Sequence, residues 1–480
     1  MELTSPPIKR QKVLHDAENV NGNDCIGFLP ESVVLNILSY LPTKFVVQTS
    51  VVSKDWRYLW TFIPRLDFDD ELFRIHRKKN KKQIENPKFV DFVSKVMKVQ
   101  DQARYVERFR LRWSHFDMSL VNNWINVSVG KNLKELDLDL RNNASVVKLP
   151  YAIGLPLCMF NSDSLVALKL KLFNCELIVL PTSICLNKLK KLHLEGVRFS
   201  GDGAIQRLLS GCPILETLEM VGCQIYDQKV VEITLPSLRN LCVRHIYLPR
   251  NSVIKISNLD LLFFKYTVME CNMKNNFIYS LSSLINAYFE VHLQPCGSYS
   301  RKRYNECFTN VRRLLSGLSS VRSLTLPEST LQMLSLDQNL LESLPCFYNL
   351  RKLMLTSLRK RDYFQVIAYL LQSSPSLESL VIALEEQPRI GAVIMEDGQE
   401  VPTELLCLEG LVLNHLKEVT ISRLWGIEVE LEFLKLILRK ASALQKLIIN
   451  EMNDSKKRTE ICWKMAMFEK ASASCTISLL

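Results

Sequence analysis

Along most of the chain, apolar residues recur in one short spacing, L-x-x-L-x-L. It is found at Leu133/Leu136/Leu138, Leu165/Leu168/Leu170, Leu189/Leu192/Leu194, Leu215/Leu218/Met220 and Leu238/Leu241/Val243. After a less regular stretch it returns at Val321/Leu324/Leu326, Leu350/Leu353/Leu355, Leu377/Leu380/Ile382, Leu416/Val419/Ile421 and Leu444/Leu447/Ile449. The last two apolar residues of each motif are two apart, so both point to one face of a strand. A single strand cannot bury that face alone. Parallel strands stacked side by side, each followed by a helix or loop on the outside, share one continuous core. One connecting helix is legible: Asp202 as N-cap, Ile205, Leu208 and Leu209 as the apolar stripe, and Gly211 at C′ ahead of Pro213. Residues 270–310 fit the pattern worst, and no strand is predicted there. Near the end, Glu428–Ala441 has helical spacing, and Cys475, Ile477 and Leu479 alternate as a last edge strand.

The central motifs start about 21–26 residues apart, near the ~20–29 of leucine-rich repeats. The predicted fold class is therefore α/β, a curved leucine-rich-repeat solenoid with parallel strands and a C-terminal cap over its open core. The motif at Leu215 is the most complete. It continues to Cys223 and Ile225, the Cys standing where the chain turns inward.

The segment Leu29–Trp60, LPESVVLNILSYLPTKFVVQTSVVSKDWRYLW, has a different pattern. Pro30 suits position N1 of a helix over Glu31–Leu41, which Pro42 terminates. Thr43 can cap a second short helix, and Ser53 a third carrying Trp56, Leu59 and Trp60. Three such helices form a very small module. Val33, Val34, Leu35, Ile37, Leu38, Tyr40 and Leu41 leave the first helix almost no polar face. A helix apolar nearly all round has to be covered on more than one side. One side packs on the module, and the other needs the solenoid or a second protein.

Charge and cysteines narrow the classes. The net charge is +11, modest for 480 residues. Its densest run, Arg77–Lys82, is predicted to be a solvated loop, and Pro7–Lys12 is a weak nuclear-import candidate in a tail. The first residues lack the apolar stretch of a secretory signal, and no apolar run approaches the ~18 residues of a membrane span. The cysteines occur singly, without CxxC pairs, and are predicted to be reduced, small and buried. No cofactor or metal site is predicted. There is no glycine-rich phosphate loop and no G-x-S-x-G, and His193, His245, His292 and His415 are predicted to stand alone at surfaces or strand edges. An enzyme is the least favoured class.

Asp24–Asp70 resembles an F-box of the plant type. The matching residues are Asp24, Ile26, Leu29-Pro30, Glu31, Leu35, Ile37-Leu38-Ser39, Leu41-Pro42-Thr43-Lys44, Val47, Thr49-Ser50-Val51, Ser53-Lys54, Trp56-Arg57 and Leu59-Trp60. The departures are Gly27 for Ser, Glu31 for Asp, and Asp55 where a basic residue is common. Ser210-Gly211-Cys212-Pro213 with Leu215, Glu216 and Leu218 is similar to a repeat of plant F-box/leucine-rich-repeat proteins. Leu416-Lys417-Glu418-Val419 and the helix after it resemble the FBD region that closes many of them. The resemblance divides the chain into a disordered tail (1–23), an F-box (24–70), a connecting region with the solenoid's N-terminal cap (71–128), repeats (129–395) and an FBD-like end (396–480).

The resemblance implies a Skp1-like adaptor as partner, a cullin through it, and a protein substrate on the solenoid, as in an SCF-type ubiquitin ligase. Adaptor contacts are assigned to Leu29, Pro30, Ile37, Leu38, Leu41, Pro42, Val51 and Trp56, with Trp56 and Trp60 also packing the module. Residues that alternate with the core leucines face the concave side. Lys169, Lys171, Lys190, Lys191, Arg239, Arg244 and Arg351 lie in or beside the strands, so a second reading is a receptor gated by a small anionic molecule. A third is an interaction scaffold or nucleic-acid binder outside ubiquitination, although no nucleic-acid motif supports it. The nucleus, the cytoplasm or both are the predicted location.

Overall fold

A computed structural model describes residues 29–51, 55–73, 87–100, 105–141, 154–173, 178–201, 203–226, 228–249, 252–258, 260–269, 277–278, 281–292, 301–336, 341–356, 362–383, 410–424, 426, 428–452 and 458–480. Pro7–Lys12, Ser53, Arg77–Lys82 and Asp202 lie outside them. The chain divides into two units between Pro64 and Arg65.

In the first unit, α1 spans Glu31–Leu38 and α2 spans Thr43–Gln48, followed by 3-10 turns over Thr49–Val51 and Asp55–Phe62. Pro30 precedes α1 instead of opening it, because its ψ of 140° is extended. The helix ends three residues earlier than predicted, and a tight turn carries the chain to Pro42, with Leu41 N–H donating to the Leu38 carbonyl at 3.0 Å. Thr43 is the first helical residue of α2, not its cap, and is buried.

The second unit is built on one parallel sheet of fifteen strands in chain order. They are β1 (Arg65–Asp69), β2 (Arg108–Ser114), β3 (Glu135–Arg141), β4 (Ala167–Phe173), β5 (Lys191–Glu195), β6 (Thr217–Val221), β7 (Asn240–Arg244) and β8 (Phe263–Met269). There follow β9 (Asn286–His292), β10 (Ser323–Leu326), β11 (Lys352–Leu355), β12 (Ser379–Ala383), β13 (Glu418–Leu424), β14 (Lys446–Met452) and β15 (Thr476–Leu479). Alternate residues are buried. Leu136, Leu168, Leu192, Leu218 and Leu241 stand in register along one row of the core, each 0–1 % exposed. The first leucine of each motif, such as Leu133, Leu189 or Leu215, is buried just ahead of its strand.

Two regions depart from the sequence reading. The sheet begins at Arg65, inside the segment assigned to the F-box, and β2 lies in the predicted connecting region. β9 lies within 270–310, where no strand was predicted. Ala287, Phe289 and Val291 occupy its core positions in place of leucines. The outer layer also varies. Helices such as Pro87–Gln100, Met118–Val129 and Asp362–Gln372 connect strands toward both ends. In the middle, Val230–Ile233, Val253–Ile256 and Phe277–Ile278 pair in a small parallel sheet of their own.

The helix Ala204–Ser210 forms where the stripe predicted it, but its N-cap is Gly203 in the left-handed region (φ 68°). Gly211 is its C-cap with ordinary helical φ, so the left-handed conformation is not what demands glycine there. Space is: a Cβ on Gly211 would lie 2.7 Å from the Ile184 carbonyl oxygen and 2.9 Å from the Ile184 Cβ. The same glycine accepts a hydrogen bond from Leu186 N–H at 2.8 Å. Gly211→Ala is therefore expected to destabilise the solenoid by about 1–3 kcal/mol, the usual cost of overpacking, read as a lower thermal midpoint.

Candidate functional site

Two surfaces stand out, one on each unit. In the first unit, Val34 and Leu38 are one helical turn apart on α1 and turn inward to Val46 and Ile63. Leu35, Trp56, Leu59 and Trp60 pack partly buried against this cluster. An adjacent face of α1 carries Val33 and Ile37, again one turn apart, and Tyr40 and Leu41 beyond its end are exposed too. Leu29, Phe45, Val51, Tyr58 and Phe62 are exposed as well. Ile37 is 53 % and Val51 87 % exposed, values that apolar side chains rarely keep in such number on a free surface.

Of the residues assigned from the sequence, Leu29, Pro30, Ile37, Leu41 and Val51 are exposed, and Pro42 is half-buried. Leu38 is a correction. At 3 % exposure it builds the module's core and has no surface to offer a partner. Trp56 is half-buried on the core cluster. Val33, Tyr40, Phe45, Tyr58 and Phe62 are exposed too, and the sequence reading does not assign them. The helical repeat i, i+4 from Ile37 would have found Val33.

The second surface is the face of the sheet opposite the core, where residues alternating with the leucines stand half-buried. In register across β1–β4 run Asp67, Arg110, Asp137 and Lys169, and beside them Asp69, Arg112, Asp139 and Lys171. Acidic and basic strands thus alternate. Arg110 lies 2.9 Å from Asp67 and 3.8 Å from Asp137, and Arg112 3.4 Å from Asp69 and 3.8 Å from Asp139. A shallow cavity of about 230 Å³ over this half is lined by both signs, Arg108, Asp137, Lys169, Lys191, His193 and Glu219 among them. From β10 onward the same row is uncharged: Thr325, Met354, Val381, Thr420 and Ile448.

Most of the basic residues singled out in the sequence are already neutralised. Lys169 lies 3.9 Å from Asp137, Lys171 2.5 Å from Glu195 and Lys190 2.8 Å from Glu216, and Arg351 pairs with Glu378. Lys190, Arg239 and Arg351 precede their strands, whereas Lys169, Lys171 and Arg244 are within strands on the open face. The histidines do not all stand alone. His193 bridges Glu219 at 2.7 Å and Glu195 at 3.2 Å, and His245 lies against His292 with ring centroids 5.3 Å apart. Nor are all cysteines buried: Cys212, Cys223, Cys307 and Cys475 are, but Cys185 and Cys346 are exposed. Among the described residues no group of His, Cys, Asp and Glu is arranged to hold a metal ion, and no helix is long and apolar enough to cross a membrane.

The ladder has a pH consequence. The His193 hydrogen bond holds the Glu219 carboxyl below its ordinary 4.5. Burial pushes Glu195 up, but Lys171 and His193 outweigh it and leave its carboxyl below 4.5 too. Carboxyls depressed in the folded state stabilise it above their unfolded pKa, and that contribution is lost as pH falls through the folded value. Stability is therefore expected to fall below about pH 4.5. Glu219→Gln should flatten that decline, which denaturant titrations at a series of pH values would show.

A three-helix module ahead of an α/β parallel solenoid is the architecture of a leucine-rich-repeat protein with an N-terminal F-box. Family comparison agrees. Residues 27–67 match the F-box domain model, and residues 103–478 match the At1g61320/AtMIF1 LRR domain model. The chain is 29 % identical to the F-box/FBD/LRR-repeat protein At3g52680 of Arabidopsis thaliana, over 95 % of this chain and 93 % of that one. It is 31 % identical to the F-box/LRR-repeat protein At4g14103 of the same plant, over 75 % and 91 %. The chain belongs to the plant F-box/FBD/LRR-repeat family. F-box domains generally bind Skp1-type adaptors.

Proposed function

We propose that the protein is the substrate-recognition subunit of an SCF-type ubiquitin ligase, its F-box docked on a Skp1-like adaptor and its solenoid holding the substrate. The observation that carries this is the apolar stripe on α1. The first unit closes its own core with Val34, Leu38, Val46 and Ile63, and still presents Leu29, Val33, Ile37, Leu41 and Val51 to solvent. That is one half of an apolar interface. Catalysis is done by other subunits; this chain raises the effective concentration of a substrate lysine near charged ubiquitin. Such work belongs in the nucleus or cytoplasm, where the cysteines stay reduced.

The uncharged row of the open face, in which Met354, Val381, Thr420 and Ile448 stand in register, is the part where substrate contacts do not compete with internal ion pairs. The paired state of Lys169, Lys171, Lys190 and Arg351 leaves little support for a small anion held by those residues. Co-expression with a Skp1-like protein tests the proposal. The two should co-elute at equal stoichiometry, and separate elution would refute it. For the substrate, Met354→Asp with Val381→Asp is expected to abolish capture and leave adaptor binding intact; capture that survives both substitutions would place the substrate elsewhere.

A further inference from the structure

On the open face nearly every inner cation has a carboxylate within 4.0 Å, as the ladder over β1–β6 shows. In the rows that run through Asp67 and Asp69, two described cations do not. Lys265 stands over the Tyr288 ring, 4.0 Å from its centroid. Arg244, the last residue of β7, is half-buried and has no carboxylate within 4.0 Å among the described residues, although its charge reaches Glu219. Its guanidinium lies beside the Cys242 thiol, and its Nε is buried without a hydrogen-bond partner. A buried guanidinium nitrogen left unpaired costs free energy that an anionic oxygen would recover.

Histidines flank this arginine. His245 follows it with a left-handed φ of 52°, which carries the ring to the face its strand parity would otherwise deny it. The ring meets His292 of β9 across the intervening β8, where His245 N–H donates to the Thr267 carbonyl at 2.8 Å. Neither His245 ring nitrogen has a hydrogen-bond partner among the described residues. His292 uses Nε2 on Glu290 at 3.3 Å, which leaves its Nδ1. Glu290 is the nearby anion, and it is occupied: Thr267 Oγ1 donates to it at 3.2 Å, Tyr288 Oη at 3.0 Å and Ser329 Oγ at 3.5 Å. The carboxylate thereby fixes the His292 ring.

We infer that Arg244, His245 and His292 form a binding site for an anionic oxygen group of the protein substrate, a phosphorylated or carboxylate side chain. The inference rests on the open face being the substrate surface. The site lies where the charged part of the row through Asp67 gives way to its uncharged part, so an acidic residue held there leaves its neighbours over Thr325, Met354 and Val381. Burial, then His292, lowers the His245 pKa; Glu290 opposes this and Arg244 adds to it, while β8 between them contributes the uncharged Thr267. His245 is thus mostly neutral at pH 7, and a bound anion would draw a proton onto it.

The test is titration of the full chain, labelled at its seven histidines, with three capped pentapeptides of glycine and serine whose central residue is phosphoserine, aspartate or serine. His245→Asn, a residue that tolerates the left-handed φ, and His292→Gln assign the two rings in nuclear magnetic resonance spectra. Saturable shifts of both rings with phosphoserine, with aspartate or with both support the site and identify the source of its anion. Arg244→Gln should weaken binding about tenfold or more. Aspartate stays ionised across pH 6–7.5, so its binding should strengthen as pH falls and His245 takes up a proton. The inference is overturned if the serine peptide binds equally, if His193 shifts as much as His245, or if Arg244→Gln changes nothing. None of these readouts involves the substrate, so they fail independently of the Met354 and Val381 experiment.

Discussion

Ile37→Glu is expected to abolish co-elution with a Skp1-like adaptor while leaving the module folded. Ile37 sits at the middle of the exposed stripe, with Val33 one turn before it and Leu41 after it. At 53 % exposure its side chain supports nothing internal that a glutamate would break. An interface centre is where truncations cost ~2 kcal/mol or more, and a charge left unpaired there adds its own desolvation penalty. The affinity loss should therefore be at least roughly 30-fold. Glu31→Gln, at the first residue of α1, is the control and should bind as the parent does. A glutamate variant that still co-elutes would show that the stripe is not the docking surface.

The second large effect is the reverse case. Leu38→Ala should unfold the first unit while the solenoid stays intact. Leu38 is fully enclosed by Val34, Val46 and Ile63, and large-to-small changes in such sites cost about 2–5 kcal/mol. A module of this size has little more than that to lose. Limited proteolysis should cut the variant within Glu31–Phe62 and spare β1–β15. Ile37→Ala, by contrast, should leave proteolysis unchanged, since exposed substitutions usually fall within about 0.5 kcal/mol. Equal protease resistance of Leu38→Ala and the parent would contradict the assignment of Leu38 to the core.

These two residues show where sequence pattern stops being informative. Adjacent leucine and isoleucine on a helix apolar all round carry the same local signal, and only the position of α2 and Ile63 decides which one turns inward. The repeats were legible because leucine marks the core positions. β2 carries an equally clear alternation, Phe109, Leu111 and Trp113 against three arginines, but its aromatic residues do not match a leucine template. β9 escaped for the same reason, with Ala287, Phe289 and Val291 filling its three core positions.

The charge ladder needs more than one strand to be visible. RFRLRWS, ELDLDLR and ALKLKLF each look like a solvated face until register sets arginine between aspartates. The same holds for His245 and His292, far apart in sequence and joined only through parallel neighbours. The left-handed backbone at His245 becomes legible only once the repeats are aligned, where Gly196 and Gly222 hold the same strand-end position with the same sign of φ.

Amide hydrogen exchange of the chain, alone and bound to a Skp1-like adaptor, tests the central claim most directly. Exchange reports local opening and burial segment by segment. The expected result is added protection across Leu29–Val51, greatest around Ile37 and Leu41, with β1–β15 unchanged. Protection confined to the sheet, or no change in the first unit despite complex formation, would contradict it.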